Sequence, residues 1–86
     1  MFLHIGEGHM IPASEVVLIA DYESTLSSKR TEEFFQVAEE EGFVVDYSSG
    51  DPRSFILTGE TVYLSMISSA TLRKRMNKFS KSNGGS

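Results

Sequence analysis

Val16-Val17-Leu18-Ile19-Ala20 is a run of five apolar residues, three of them β-branched, and its reading decides the fold. A run this short has no helical period, and β-branched side chains favour extended backbone, so it predicts a strand buried on both faces of a sheet. Upstream, Phe2-Leu3-His4-Ile5 alternates and reads as a strand stopped by Gly6-Glu7-Gly8. Met10-Ile11 resume extended structure before Pro12 fixes a turn. Downstream, Asp21 to Thr25 reads as polar connection, and either Ser27 or Ser28 can cap a helix whose apolar stripe is Phe34, Phe35, Val37 and Ala38. Gly42 is placed to end it in a left-handed conformation.

Phe43-Val44-Val45 forms another strand, and Ser48-Ser49-Gly50-Asp51-Pro52 a turn. Ser54 to Thr58 and Thr61 to Leu64 flank Gly59-Glu60 and predict a hairpin. Ser68 or Ser69 opens a last helix in which Leu72, Met76 and Phe79 recur on one face. The order is β-β-α-β-β-β-α, with Met10-Ile11 as a short extended segment. This is an α+β domain: a small, mostly antiparallel sheet of four to five strands with two helices. It occupies residues 1–79 and is followed by a disordered polar tail over 80–86.

Eighty-six residues make one domain. A chain of this size buries only roughly 60–65% of the surface it exposes when unfolded, so self-association is the usual support where disulfides and metals are missing. There is no cysteine, which removes disulfides, thiolate ligands and a thiol nucleophile together and suits a reducing cytoplasm. Met1-Phe2-Leu3-His4 has neither a basic region nor a long apolar run, so neither a signal peptide nor a membrane span is expected.

The chemistry-bearing residues are sparse. His4 and His9 are isolated, and His9 beside Glu7 falls short of a zinc ligand set. Gly6-Glu7-Gly8 lacks the third glycine and following helix of a phosphate loop, and Glu7 would repel phosphate. No Gly-x-Ser-x-Gly elbow exists. Neither an enzyme nor a cofactor is expected.

Charge is distributed unevenly. The net charge is −4, yet all twelve acids lie between Met1 and Ser65 against only Lys29, Arg30 and Arg53. From Met66 onward Arg73, Lys74, Arg75, Lys78 and Lys81 stand without an acid. Part of this is helix physics, because cations near a helix C-terminus oppose its dipole. The remainder suits a phosphate or an acidic partner.

Three stretches together resemble the RemA/RemB family of extracellular matrix regulators, on the RemB side more than the RemA side. They are Phe2-Leu3-His4-Ile5-Gly6-x-Gly8-His9-Met10-Ile11, Gly50-Asp51-Pro52-Arg53-Ser54-Phe55-Ile56-Leu57-Thr58, and Tyr63-Leu64-Ser65-x-x-Ser68-Ser69-x-Thr71-Leu72-Arg73-Lys74-Arg75. The resemblance implies a bacterial, cytoplasmic regulator of biofilm-matrix genes, built as a homo-oligomeric ring that offers cations to DNA phosphates. The candidate contacts are Arg53, Arg73, Lys74, Arg75 and Lys78, with Lys29-Arg30 a further pair. Two departures oppose this. Glu15 stands where RemA-type members have an arginine, and Asp51-Pro52 where they have two. At a phosphate-facing surface such changes invert the local potential. Two functions therefore stand: a homo-oligomer binding DNA phosphates without base readout, or an oligomeric scaffold that binds an acidic protein partner and no DNA.

Overall fold

Ser54–Thr58 (β5) is the strand on which everything else is assembled, because its alternating side chains serve two cores. Ile56 points to one face of the sheet and Phe55 and Leu57 to the other. The computed structural model describes residues 1–84, with side chains described through residue 78. Its elements are β1 (Phe2–Gly6), β2 (His9–Pro12), β3 (Val16–Asp21), α1 (Tyr22–Leu26), α2 (Lys29–Glu40), β4 (Val44–Tyr47), β5, β6 (Val62–Ser65) and α3 (Ser69–Gly84). The tail expected over 80–86 falls on the end of α3 and on residues 85–86, which lie outside the described ones, as does the Phe79 side chain.

The α+β class stands, but the single sheet and two helices do not. There are two sheets: the antiparallel pair β1-β2, and a four-stranded sheet in the order β3-β5-β6-β4. The β5-β6 hairpin around Gly59-Glu60 is as the sequence predicts. In contrast, β4 pairs with β6 in parallel. β3 runs in the same direction, because it is antiparallel to β5 and β5 is antiparallel to β6, so α1 and α2 form the crossover that carries the chain over one face from edge strand β3 to edge strand β4.

Three sequence-based expectations change. The Val16–Ala20 strand is an edge and is not buried on both faces: only Ile19 is buried, while Val17 is 68% and Leu18 47% exposed. The run lacks a neighbour on one side, and no short-range pattern reveals that. Asp21 to Thr25 is a polar connection only in composition, because Tyr22–Leu26 forms the short helix α1, the third α-helix. In α2, Phe35 and Ala38 are buried but Phe34 and Val37 are exposed.

One core lies between α2 and the sheet (Phe35, Ala38, Phe55, Val62, Leu64). The other lies between the opposite face of the sheet and a layer made of the β1-β2 hairpin and α3 (Leu3, Ile5, Ile11, Ile19, Ile56, Leu72). The chain thus folds as three layers.

α1 exists because Asp21 caps it. Its Oδ2 accepts from the Ser24 backbone N–H at 3.0 Å, satisfying one of the orphan amides of the first turn. The Ser24 backbone and side-chain donors, followed by the positive charge of Arg73, hold the Asp21 carboxyl below its ordinary range. A depressed folded-state value stabilises the fold above the unfolded pKa, about 3.9, and the benefit disappears as pH falls through the folded value. Asp21→Ala should therefore lower the melting temperature at pH 7, and the gap to wild type should close as the pH drops below about 4. Asp21→Asn, still a capping residue, should lose less at pH 7. Melting curves of the three proteins across that range check this, and a gap independent of pH would refute it.

Candidate functional site

The cation-rich segment opens where the Ser68 hydroxyl accepts from the Thr71 backbone N–H at 3.2 Å and starts α3. Leu72 is fully buried and Met76 half-buried, which fixes the inward face of the helix. Residues two apart on a helix lie about 200° apart, so Arg73 and Arg75 emerge on opposite flanks. Arg73 Nη2 donates to the Ile19 carbonyl on edge strand β3 at 2.8 Å, and Arg75 Nη1 donates to the His4 carbonyl on β1 at 3.0 Å. The two arginines act as struts that hold α3 between the sheet edge and the hairpin. Bonds from a guanidinium to a carbonyl are among the stronger kinds.

Lys74 and Lys78, one helical turn apart, are exposed on the outward face. Arg53 lies elsewhere, ahead of β5. Its backbone N–H donates to the Ser65 carbonyl and its carbonyl accepts from the Tyr22 N–H, while its exposed guanidinium meets Asp51 at 3.4 Å. Ser54, its neighbour, pairs with Asp21, the residue that feels the charge of Arg73. Arg53 and Arg73 thus flank one acidic corner at the end of β3, whereas Arg75 sits on the far side of α3. The five candidate cations do not form one face: Lys74 and Lys78 share an outward surface, Arg73 and Arg75 reach to β3 and β1, and Arg53 meets Asp51.

The two acidic departures also lie apart. Glu15 is near Glu60 in a shallow cleft by the β5-β6 turn, and Asp51 is at the other end of β5. Lys29 and Arg30 open α2 on the opposite layer from α3.

His9 stacks on Tyr47 with ring centroids 3.7 Å apart, and Tyr47 on Tyr63 at 6.1 Å. Glu7 accepts a hydrogen bond from the Ser49 hydroxyl. Glu7, Gly6, Ser49 and Gly50 all have positive φ, so the two turns clasp each other through left-handed backbone that glycine accommodates best. These contacts give His9 and the glycine turn a structural role. Among the described residues no group of three or more His, Cys, Asp or Glu comes together, and no helix is long and apolar enough to cross a membrane.

Sequence reasoning missed an apolar groove of about 680 Å³ between α2 and the β5-β6 hairpin, lined by Phe34, Val37, Phe43, Leu57 and Val62 with Glu60 at its rim. The signal was present in the adjacent pair Phe34-Phe35, since two neighbouring side chains on a helix point about 100° apart and Phe35 takes the buried direction.

The model of the RemA-like family, described as extracellular matrix regulatory protein A-like, matches residues 2–76. The chain is also 32% identical over 75 residues to extracellular matrix regulatory protein B of Bacillus subtilis (strain 168), covering 87% of this chain and 89% of that one. The matched segment contains both cores and both arginine struts and ends at Met76, within α3. With its hairpin, its four-stranded sheet and the first half of its basic helix all inside the match, the chain belongs to the RemA-like family of extracellular matrix regulatory proteins.

Proposed function

We propose that the protein is a cytoplasmic regulator of extracellular-matrix genes that works as a homo-oligomer, a ring in the family manner, and binds the DNA phosphate backbone through α3 rather than catalysing a reaction. The carrying observation is the outward pair Lys74 and Lys78 on a helix whose described residues include no acid. Repeated around an assembly, such pairs make a stripe of positive potential on an otherwise acidic protein. Arg53 is exposed enough to add to it, and Arg73 and Arg75 set the angle at which the helix presents it. Phosphate contacts position a protein without reading sequence, so binding is expected to be weakly sequence-dependent and steeply salt-dependent.

The second reading, an oligomeric scaffold for an acidic protein partner, is favoured by a specific observation: each candidate arginine already has an acceptor within the chain. A titration with duplex DNA across salt concentrations separates the two readings. For the DNA reading, log affinity should fall with log salt by about 0.9 per phosphate contacted. Lys74→Ala with Lys78→Ala should weaken binding to all sequences alike and flatten that slope by up to about 2. No binding at low ionic strength, where phosphate contacts are strongest, would overturn the DNA reading and leave the scaffold.

A further inference from the structure

The groove beside α2 lies on the opposite face of the sheet from α3, and it has an apolar floor between two acidic margins. Phe34, Val37 and Phe43 stand exposed along it, over Leu57 and Val62. On the hairpin side Glu60 forms the rim. Along α2, Glu33, Glu40 and Glu41 are exposed and lie three or four residues from Val37. No lysine or arginine among the described residues forms an ion pair with these four glutamates. Glu40 and Glu41 also stand at the negative end of the α2 dipole, where they oppose the helix. Arg30 is at the other end of α2, bordering a smaller hollow with Leu18 and Thr31. The groove is therefore negative overall, and most of its acids gather toward the C-terminal end of α2.

Topology restricts what can lie there. β5 and β6, which floor the groove, are the two inner strands of the sheet, so each already has a paired neighbour on both sides. An extended peptide finds no free strand edge to join. A helix satisfies its own backbone and brings an apolar stripe at i, i+3, i+4 and i+7 between two polar flanks. Acids on both margins of the groove select cations on both of those flanks.

We infer that the groove between α2 and the β5-β6 hairpin docks an amphipathic helix of another protein, apolar toward Phe34 and Val37 and basic on its flanks. Glu40, Glu41 and Glu60 meet the partner's cations at one end, and Arg30 disfavours a cation at the other. This surface is opposite in sign to the outward face of α3 and takes a basic partner, whichever reading of α3 holds.

The test titrates the full chain by calorimetry with two peptides of about 14 residues. One has a leucine stripe with lysines on its flanks, and the other carries the same lysines with serines in place of the leucines. The leucine peptide should bind one per chain, and the serine peptide should bind about tenfold more weakly or not at all. Glu41→Gln with Glu60→Gln, on the two margins, should weaken the leucine peptide about five- to tenfold. Glu32→Gln with Glu39→Gln makes the same change of charge on the far side of α2 and should leave binding within about twofold. Val37→Ser, which removes apolar surface and no charge, should weaken it about tenfold. Circular dichroism checks that each variant is folded. Equal loss in the two glutamate pairs would reduce the binding to general attraction between a basic peptide and an acidic protein. Equal binding of the serine peptide, or an unchanged Val37→Ser, would remove the apolar groove from the contact. Any of these results, or no binding of the leucine peptide to wild type, overturns the inference.

Discussion

Ile56→Ala should lower stability by about 3–4 kcal/mol, the middle of the range for truncating a fully buried aliphatic side chain. Ile56 is fully buried in the central strand β5 and touches the core that joins sheet, hairpin and α3. The hole cannot collapse easily, because β3 and β6 hold the backbone on both sides. For a domain of this length the total stability is on the order of 4–13 kcal/mol, so this one truncation takes a large share of it. Ile56→Val should cost only about 1 kcal/mol. Val17→Ala, on the exposed side of β3, should leave the urea midpoint nearly unchanged. Urea unfolding of all three at one protein concentration, so that any assembly contributes equally, reads the result. An Ile56→Ala midpoint no lower than that of Val17→Ala would mean that the two-core description is wrong.

Ser65→Ala should cost about 2–4 kcal/mol although it removes a single oxygen. The Ser65 hydroxyl is fully buried, donates to the Ile5 carbonyl at 2.7 Å and accepts from the Ile67 N–H at 3.0 Å. Its removal strands a buried acceptor and a half-buried donor together, and each carries its own desolvation cost. Ser54, directly across the ladder, donates to the Ile67 carbonyl at 2.7 Å, so the two serines tie one loop to two strands. The loss should be local as well as global. Hydrogen exchange in Ser65→Ala should accelerate in β1 more than in β5, since the tie to the hairpin is the one cut. Uniform acceleration, or none, would show that the hydroxyl does not hold the hairpin.

The sequence made the local elements legible and hid the non-local ones. The Gly59-Glu60 hairpin and the alternation of Phe55, Ile56 and Leu57 were readable because turn chemistry and the two-residue period are short-range properties. The Ser68 cap was readable for the same reason. The edge position of β3 was not, because a run such as Val16 to Ala20 looks the same with one neighbour or two. Helix α1 escaped because five polar-leaning residues carry no periodic stripe and depend on the carboxylate of Asp21. At the candidate site, the cation cluster of α3 was visible as composition, while its division into struts and an outward pair depends on acceptors in β1 and β3. Charge tells which residues can bind an anion; only the fold tells which way each of them points.

The Ser65–Ile5 bond has a consequence for the order of events during synthesis. Its two ends are 60 residues apart in the chain. At a translation rate of about 5–20 residues per second, Ile5 therefore precedes its partner by roughly 3–12 s. Arg75, which donates to the carbonyl of the preceding residue, His4, arrives later still. A hairpin forms in about 1–10 μs, so β1 and β2 can pair early yet find neither the sheet nor α3 to lie against. For those seconds Leu3, Ile5 and Ile11 face water alongside Phe2 and Met10, and the nascent chain is a ribbon greasy on both sides. Chaperones that hold short apolar segments on the ribosome would meet this protein at the β1-β2 hairpin.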